Sequence, residues 1–126
     1  MRIKASDTQH LASEWRRVVG WLVPAIEMGG THRPADVLDL VISGHAQLWA
    51  NEDAAGVTQL VPTPLANICR YWLGGGEMSA LKALDEPIEA WAREQGCTRI
   101  EIQGRRGWER ALRGYECRGV VLTREL

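Results

Sequence analysis

The stretch Leu65-Ala-Asn-Ile-Cys-Arg-Tyr-Trp-Leu73-Gly74-Gly75-Gly76-Glu77-Met78-Ser79 decides how the chain is read. Apolar residues fall on both parities over 65–73, the pattern of a strand covered on both faces. Beyond it Leu81, Leu84, Ile88, Trp91 and Ala92 recur at helical spacing over 78–95. Three glycines lie between. A strand that ends in glycines and reopens as a helix aims unpaired backbone N–H groups at one spot, which attracts anions. The backbone freedom of glycine equally suits a tight turn with no ligand.

Upstream, residues 1–5 alternate weakly as a short first strand, and Ser6 with Gln9 three positions on forms a capping box for a helix. Leu11, Trp15, Val18, Val19, Leu22 and Ile26 make one apolar stripe, which Pro24 is expected to bend or end. A loop over 28–32 leads to Pro34, well placed in the first turn of a second helix carrying Val37, Leu38, Val41 and Ile42, with Gly44 as its stop. From His45 the period becomes two: Ala46, Leu48 and Ala50 alternate with Gln47, Trp49 and Asn51, and 57–61 answers after a turn over 52–56. Pro62-Thr63-Pro64 turns the chain into 65–73, giving a three-strand antiparallel meander.

Downstream, Pro87 inside 78–95 means either a kink or a regular helix that starts near Asp85. Gly96 closes it. Residues 98–103 then alternate cleanly with Ile100 and Ile102 inward, so strand, helix and strand imply a right-handed parallel crossover. Residues 107–113 read as a short helix and 120–123 as a last strand.

At 126 residues there is room for one core. Hydrophobic content of 45% and charged content of 25% mark a folded globule. A net charge of -1 argues against a general nucleic-acid binder, although seven arginines against four glutamates follow from Arg99 onward. Cys69, Cys97 and Cys117 match no zinc spacing, and their odd number closes no disulfide framework. No metal is expected. No run reaches the length of a membrane span.

The order strand, two helices, meander, helix, strand, helix, strand resembles the GNAT acetyltransferases over nearly the whole chain. Ile3-Lys4-Ala5 before a helix resembles the opening of that family, and Gly114-Tyr115 followed by Gly119 and Val120 resembles its Gly-aromatic turn. In detail Cys69-Arg70, Gly75-Gly76, Ile88-Glu89-Ala90-Trp91-Ala92, Gly96-Cys97 and Gly104-Arg105-Arg106-Gly107-Trp108 resemble small GNAT-like proteins of tailed phages and prophages. The resemblance implies an α/β (α+β) fold: a single GNAT-like domain over 1–126, with a twisted mixed sheet and helices on both faces. The strands 65–73 and 98–103 should lie parallel and part beyond Gly74.

In active members the strand-to-helix loop reads roughly Gln/Arg-x-x-Gly-x-Gly/Ala, and its amides hold the pyrophosphate of acetyl-CoA. If acetyl-CoA binds here, Leu73, Gly74, Gly75, Gly76, Glu77, Met78 and Ser79 are the residues that hold it. Their glycine spacing departs from the pattern, and an inward Glu77 would oppose a diphosphate, whereas an outward one would only cap the helix. Active members also often carry a Tyr four residues before the Gly of the Gly-aromatic turn, to protonate the departing thiolate. That position is Arg110, a poor proton donor at neutral pH.

These departures lead to an expectation of no cofactor, a narrowed or self-filled pocket, and a binding or virion-assembly role. The alternative is an acetyl-CoA-dependent N-acyltransferase. His10, His32 and His45 are scattered, and Glu52 and Glu101 are candidate bases only beside a cleft, so no catalytic residue is assigned. Arg105, Arg106, Trp108, Arg110 and Arg113 are the residue types enriched where partners bury surface. They point to a protein partner, either phage structural proteins or self, with no membrane and no specific nucleic acid. The expected location is the cytoplasm of a bacterial host, or the virion.

Overall fold

The computed structural model describes residues 1–104 and 107–126. The elements are β1 (Arg2–Ile3), α1 (Thr8–Gly29), α2 (Pro34–Ile42), β2 (Gln47–Ala50), β3 (Ala54–Pro62), β4 (Asn67–Gly76), α3 (Met78–Ala83), α4 (Asp85–Glu94), β5 (Arg99–Ile102) and α5 (Gly107–Ala111). One sheet runs in the order β1-β2-β3-β4-β5. Its first three contacts are antiparallel, and β4–β5 is parallel, as the strand-helix-strand order requires.

Helices cover both faces. On one, Leu11, Trp15, Val18, Leu22 and Ile26 of α1 and Val37 and Val41 of α2 bury against Leu48, Ala50, Ala55, Val57 and Leu73. On the other, Leu81, Leu84, Ile88 and Ala92 bury against Trp49, Ala54 and Cys69. Strand β2 therefore has no solvent face. Trp49, which its alternation placed among polar residues, lies under α4 with its indole N–H donating to Thr58 Oγ1 at 2.9 Å.

Several local expectations are corrected. The cap of α1 is Asp7, whose carboxylate accepts from the His10 amide at 3.0 Å, one residue beyond Ser6. Helix α1 continues through Pro24 to Gly29. Proline inside a helix costs about 3 kcal/mol, whereas burying Leu22 and Ile26 on either side stabilises by about 1.5–3 kcal/mol each, so the stripe wins. The β2–β3 turn is shorter than expected because Asn51 Oδ1 accepts from the amides of Asp53 and Ala54 at 3.2 and 2.9 Å. The second reading of Pro87, by contrast, is met: residues 78–95 break at Leu84 and regular helix resumes at Asp85, with Pro87 in its first turn. Residues 120–123 form no strand. Val120, Val121 and Leu122 are exposed and pair with no strand among the described residues.

The largest correction concerns the glycines. Leu65 is fully exposed and outside the strand, while β4 runs on through Gly74, Gly75 and Gly76, paired with Gly56, Ala55 and Ala54 of β3. The register slips between Val57/Leu73 and Thr58/Tyr71, which makes Trp72 the extra residue of a bulge. The parallel pairing with β5 stops at Tyr71, earlier than the expected parting at Gly74.

The reason for glycine here is proximity. A Cβ on Gly75 would stand 1.9 Å from the carbonyl oxygen of Trp21 in α1, and one on Gly76 would stand 2.3 Å from that of Asp53. Gly75→Ala should therefore lower unfolding stability in urea by about 2–4 kcal/mol, since backbone and not a flexible side chain must move. Gly20→Ala, on the exposed side of α1 with no atom within 4 Å of the new methyl, should raise it by about 0.5–1 kcal/mol.

Candidate functional site

The sequence-derived cofactor stretch falls where α1, the β2–β3 turn and the start of α3 meet. Arg17 of α1 donates to the carbonyls of Asn51 and Glu52 at 2.9 and 3.1 Å, while pairing with Glu14 at 2.6 Å. Asn51 Nδ2 donates to the Ala80 carbonyl at 2.8 Å, and the Asp53 carbonyl accepts from the Glu77 amide at 2.8 Å. The turn is thus fastened to both helices.

Glu77 then folds over the helix start it precedes. Its Oε1 accepts from the Ser79 amide at 3.1 Å, and its Oε2 accepts from the Ala80 amide at 3.0 Å and the Ser79 hydroxyl at 2.5 Å. These donors, the hydroxyl foremost, hold the Glu77 carboxyl below its ordinary range. Leu73 is buried against α1, Gly74, Gly75 and Gly76 are strand, and Met78 is half exposed. The residues that would form an anion cradle are a paired strand followed by a self-capped helix. The Ser79 and Ala80 amides are taken by the chain's own carboxylate.

A second polar cluster sits where β5 stops. The chain has two tyrosines, and both hydroxyls donate to Asp85 Oδ1, Tyr71 at 3.1 Å and Tyr115 at 2.7 Å. Burial first, then the Asp85 charge for Tyr71 and the Asp85 hydrogen bond for Tyr115, push both phenols well above the ordinary range. They remain protonated donors at neutral pH. The sequence reading missed this cluster, in which the aromatic of the Gly114-Tyr115 turn reaches back across the chain to the first residue of α4.

The other candidates are spread apart. His32 stands edge-on to Trp72 at 4.7 Å, His45 meets Ser43 Oγ at 2.7 Å, and His10 is exposed on α1. Glu52 is exposed, and Glu101 lies between Arg70 at 3.7 Å and Arg99 at 4.0 Å. Burial pushes the Cys69 thiol up to about 11, and Cys97 is raised by the same cause, so neither is a ready thiolate. Among the described residues no group of three His, Cys, Asp or Glu is placed to hold a metal. No helix among the described residues is long and apolar enough to cross a membrane.

Of the arginine face, Arg105 and Arg106 lie outside the described residues. Arg110 and Arg113 are exposed, and Trp108 is half-buried against the α4-side core, its indole under Gly104. Each of the other tryptophans is also at least half-buried.

Against solved structures, the chain is similar over its full length to a tetramutant of a Bacillus halodurans protein, with a TM-score of 0.61, 18% identity and 98% of that chain covered. A Trypanosoma brucei acetyltransferase gives 0.61 at 11% identity, with 100% of this chain and 97% of that one covered. A Thermus thermophilus protein gives 0.55 at 21% identity over 75% and 79% of the two chains. The fold is accordingly that of the GNAT acetyltransferases, and identities this low carry the fold alone. No protein-family model and no curated protein sequence matches the chain.

The Glu77 cap gives a pH test. Its folded value lies below the ordinary 4.5, so the cap is fully present above that pH and is lost as pH falls through the lower folded value. Amide exchange at Ser79 and Ala80, followed by NMR and corrected for the intrinsic pH dependence, should lose protection on acidification. Glu77→Gln should remove that step. Tyr115→Phe should cost about 1 kcal/mol and raise exchange at Cys117 and Arg118 without disturbing α1.

Proposed function

We propose that this chain is a GNAT-fold protein that has given up the acetyl-CoA site and acts by binding another protein. The observation that carries the reading is the occupancy of the Ser79 and Ala80 amides by the chain's own Glu77 carboxylate, beside a Gly75 covered by the Trp21 carbonyl. A diphosphate would have to displace a like charge from those donors and then find room against α1 backbone. With the donors taken and the space filled, no cofactor is expected at this junction.

The exposed Arg110 on α5 and Arg113 just beyond it suit an acidic protein surface, and their sequence neighbours Arg105 and Arg106 add to the same charge. The sequence resemblance to phage-encoded proteins makes structural or assembly proteins of a tailed phage, or a second copy of the chain, the first partners to test. The location that goes with this is a bacterial cytoplasm or the virion.

The competing reading is an N-acyltransferase, favoured by the likeness to structures described as acetyltransferases. Calorimetry with acetyl-CoA separates the two. The expected result is no heat at micromolar to low-millimolar concentrations for the natural chain. Saturable binding at micromolar affinity, with shifts of the Ser79 and Ala80 amides, would establish the enzyme reading instead.

A further inference from the structure

A cleft of about 230 Å³ opens at the β1 edge of the sheet, lined among others by Arg2, Ile3, Gln47, Leu60, Trp91 and Gln95. No acidic residue is among its described lining residues. Arg2 has its guanidinium 5.6 Å from the centre of the Trp91 ring, a cation–π contact that helps to orient its fork. Trp91 is itself fixed edge-on to Trp49 at 5.5 Å.

The orientation of Gln47 is set from inside the sheet. The Trp49 indole can only donate, and it donates to Thr58 Oγ1 at 2.9 Å. Thr58 is fully buried, so its own hydrogen must go elsewhere, and it goes to Gln47 Oε1 at 2.9 Å. With its oxygen engaged, Gln47 has its NH2 group left to offer to the cleft it lines. Arg2 and Gln47 are both donors, and Ile3, Leu60 and the Trp91 ring supply apolar wall.

We propose that this cleft binds a small carboxylate with an apolar body, its oxygens on the Arg2 fork and the Gln47 amide and its body against Leu60 and Trp91. A bidentate guanidinium–carboxylate pair matches that fork. The volume admits a ligand of the size of benzoate or hexanoate. This site lies on the opposite edge of the sheet from β5 and is independent of the acetyl-CoA question.

The test titrates the full chain with benzoate, hexanoate, the neutral isostere benzamide and inorganic phosphate, following indole and amide shifts by NMR. The expected result is saturable binding of benzoate or hexanoate with shifts at Arg2, Gln47 and Trp91, and at least tenfold weaker binding of benzamide and phosphate. Arg2→Gln should weaken the carboxylate at least tenfold. Leu60→Trp, which fills the cleft from a partly exposed position, should abolish binding while Arg2 stays in place. No saturable binding of either carboxylate, equal affinity for benzamide, shifts confined to other residues, or full affinity in a folded Leu60→Trp would each overturn the proposal.

Discussion

The contact on which this architecture depends is the crossing of α1 over β4, where the Trp21 carbonyl lies against Gly75 with no space for a side chain. A helix packs on a sheet through side chains, so backbone this close demands small residues on the sheet side. Gly75 on β4 and its partner Ala55 on β3 provide them, while Gly74 and Gly56 turn toward Leu81 and Leu84 on the other face. With α1 seated so low, its stripe from Leu11 to Ile26 reaches the sheet along its length. That also explains why Pro24 fails to end the helix.

The same crossing fixes the polar framework beside it. Helix α1 carries Arg17 one turn before Trp21, which puts its guanidinium on the carbonyls of the β2–β3 turn. The turn then holds the residue before α3 through Asp53 and Glu77, and the helix itself through Asn51 and Ala80. Glu77 caps a helix whose place is already decided by these bonds. The Ser79 and Ala80 amides at the start of α3 are thereby taken up by the protein's own carboxylate.

What was legible in the sequence follows from what each signal reports. The meander and the parallel β4–β5 pair were readable because they rest on periodicity over many residues, as in Ile100 with Ile102, while helices on both faces came from the family resemblance. Strand ends and caps were displaced because they depend on single hydrogen bonds, such as Asp7 in place of Ser6 and Asn51 shortening its turn. The strand over 120–123 failed for another reason: a short apolar run marks a segment that suits a sheet, not an edge that will accept it. The Tyr71–Asp85–Tyr115 cluster was invisible because three ordinary residues become a site only when α4, β4 and the end of the chain converge.

The glycine run shows where sequence reasoning can be sharpened. Glycines before a helix carry two opposite meanings, an open loop that needs positive φ or bare amides, and a strand that another backbone must approach. Only Gly76 of the three has a positive φ, at 110°, so the first meaning covers one residue, while the second covers Gly75 against the Trp21 carbonyl and Gly76 against that of Asp53. The discriminating signal lay upstream, in Ala54-Ala55-Gly56, the small residues of the strand that pairs with it. An anion-binding loop has no reason to be matched by a small-residue stretch in its neighbour, because the ligand and not a helix occupies the space. Where two adjacent strands are small at facing positions, as at Gly75 and Ala55, the space above them is reserved for backbone, and here that backbone is α1.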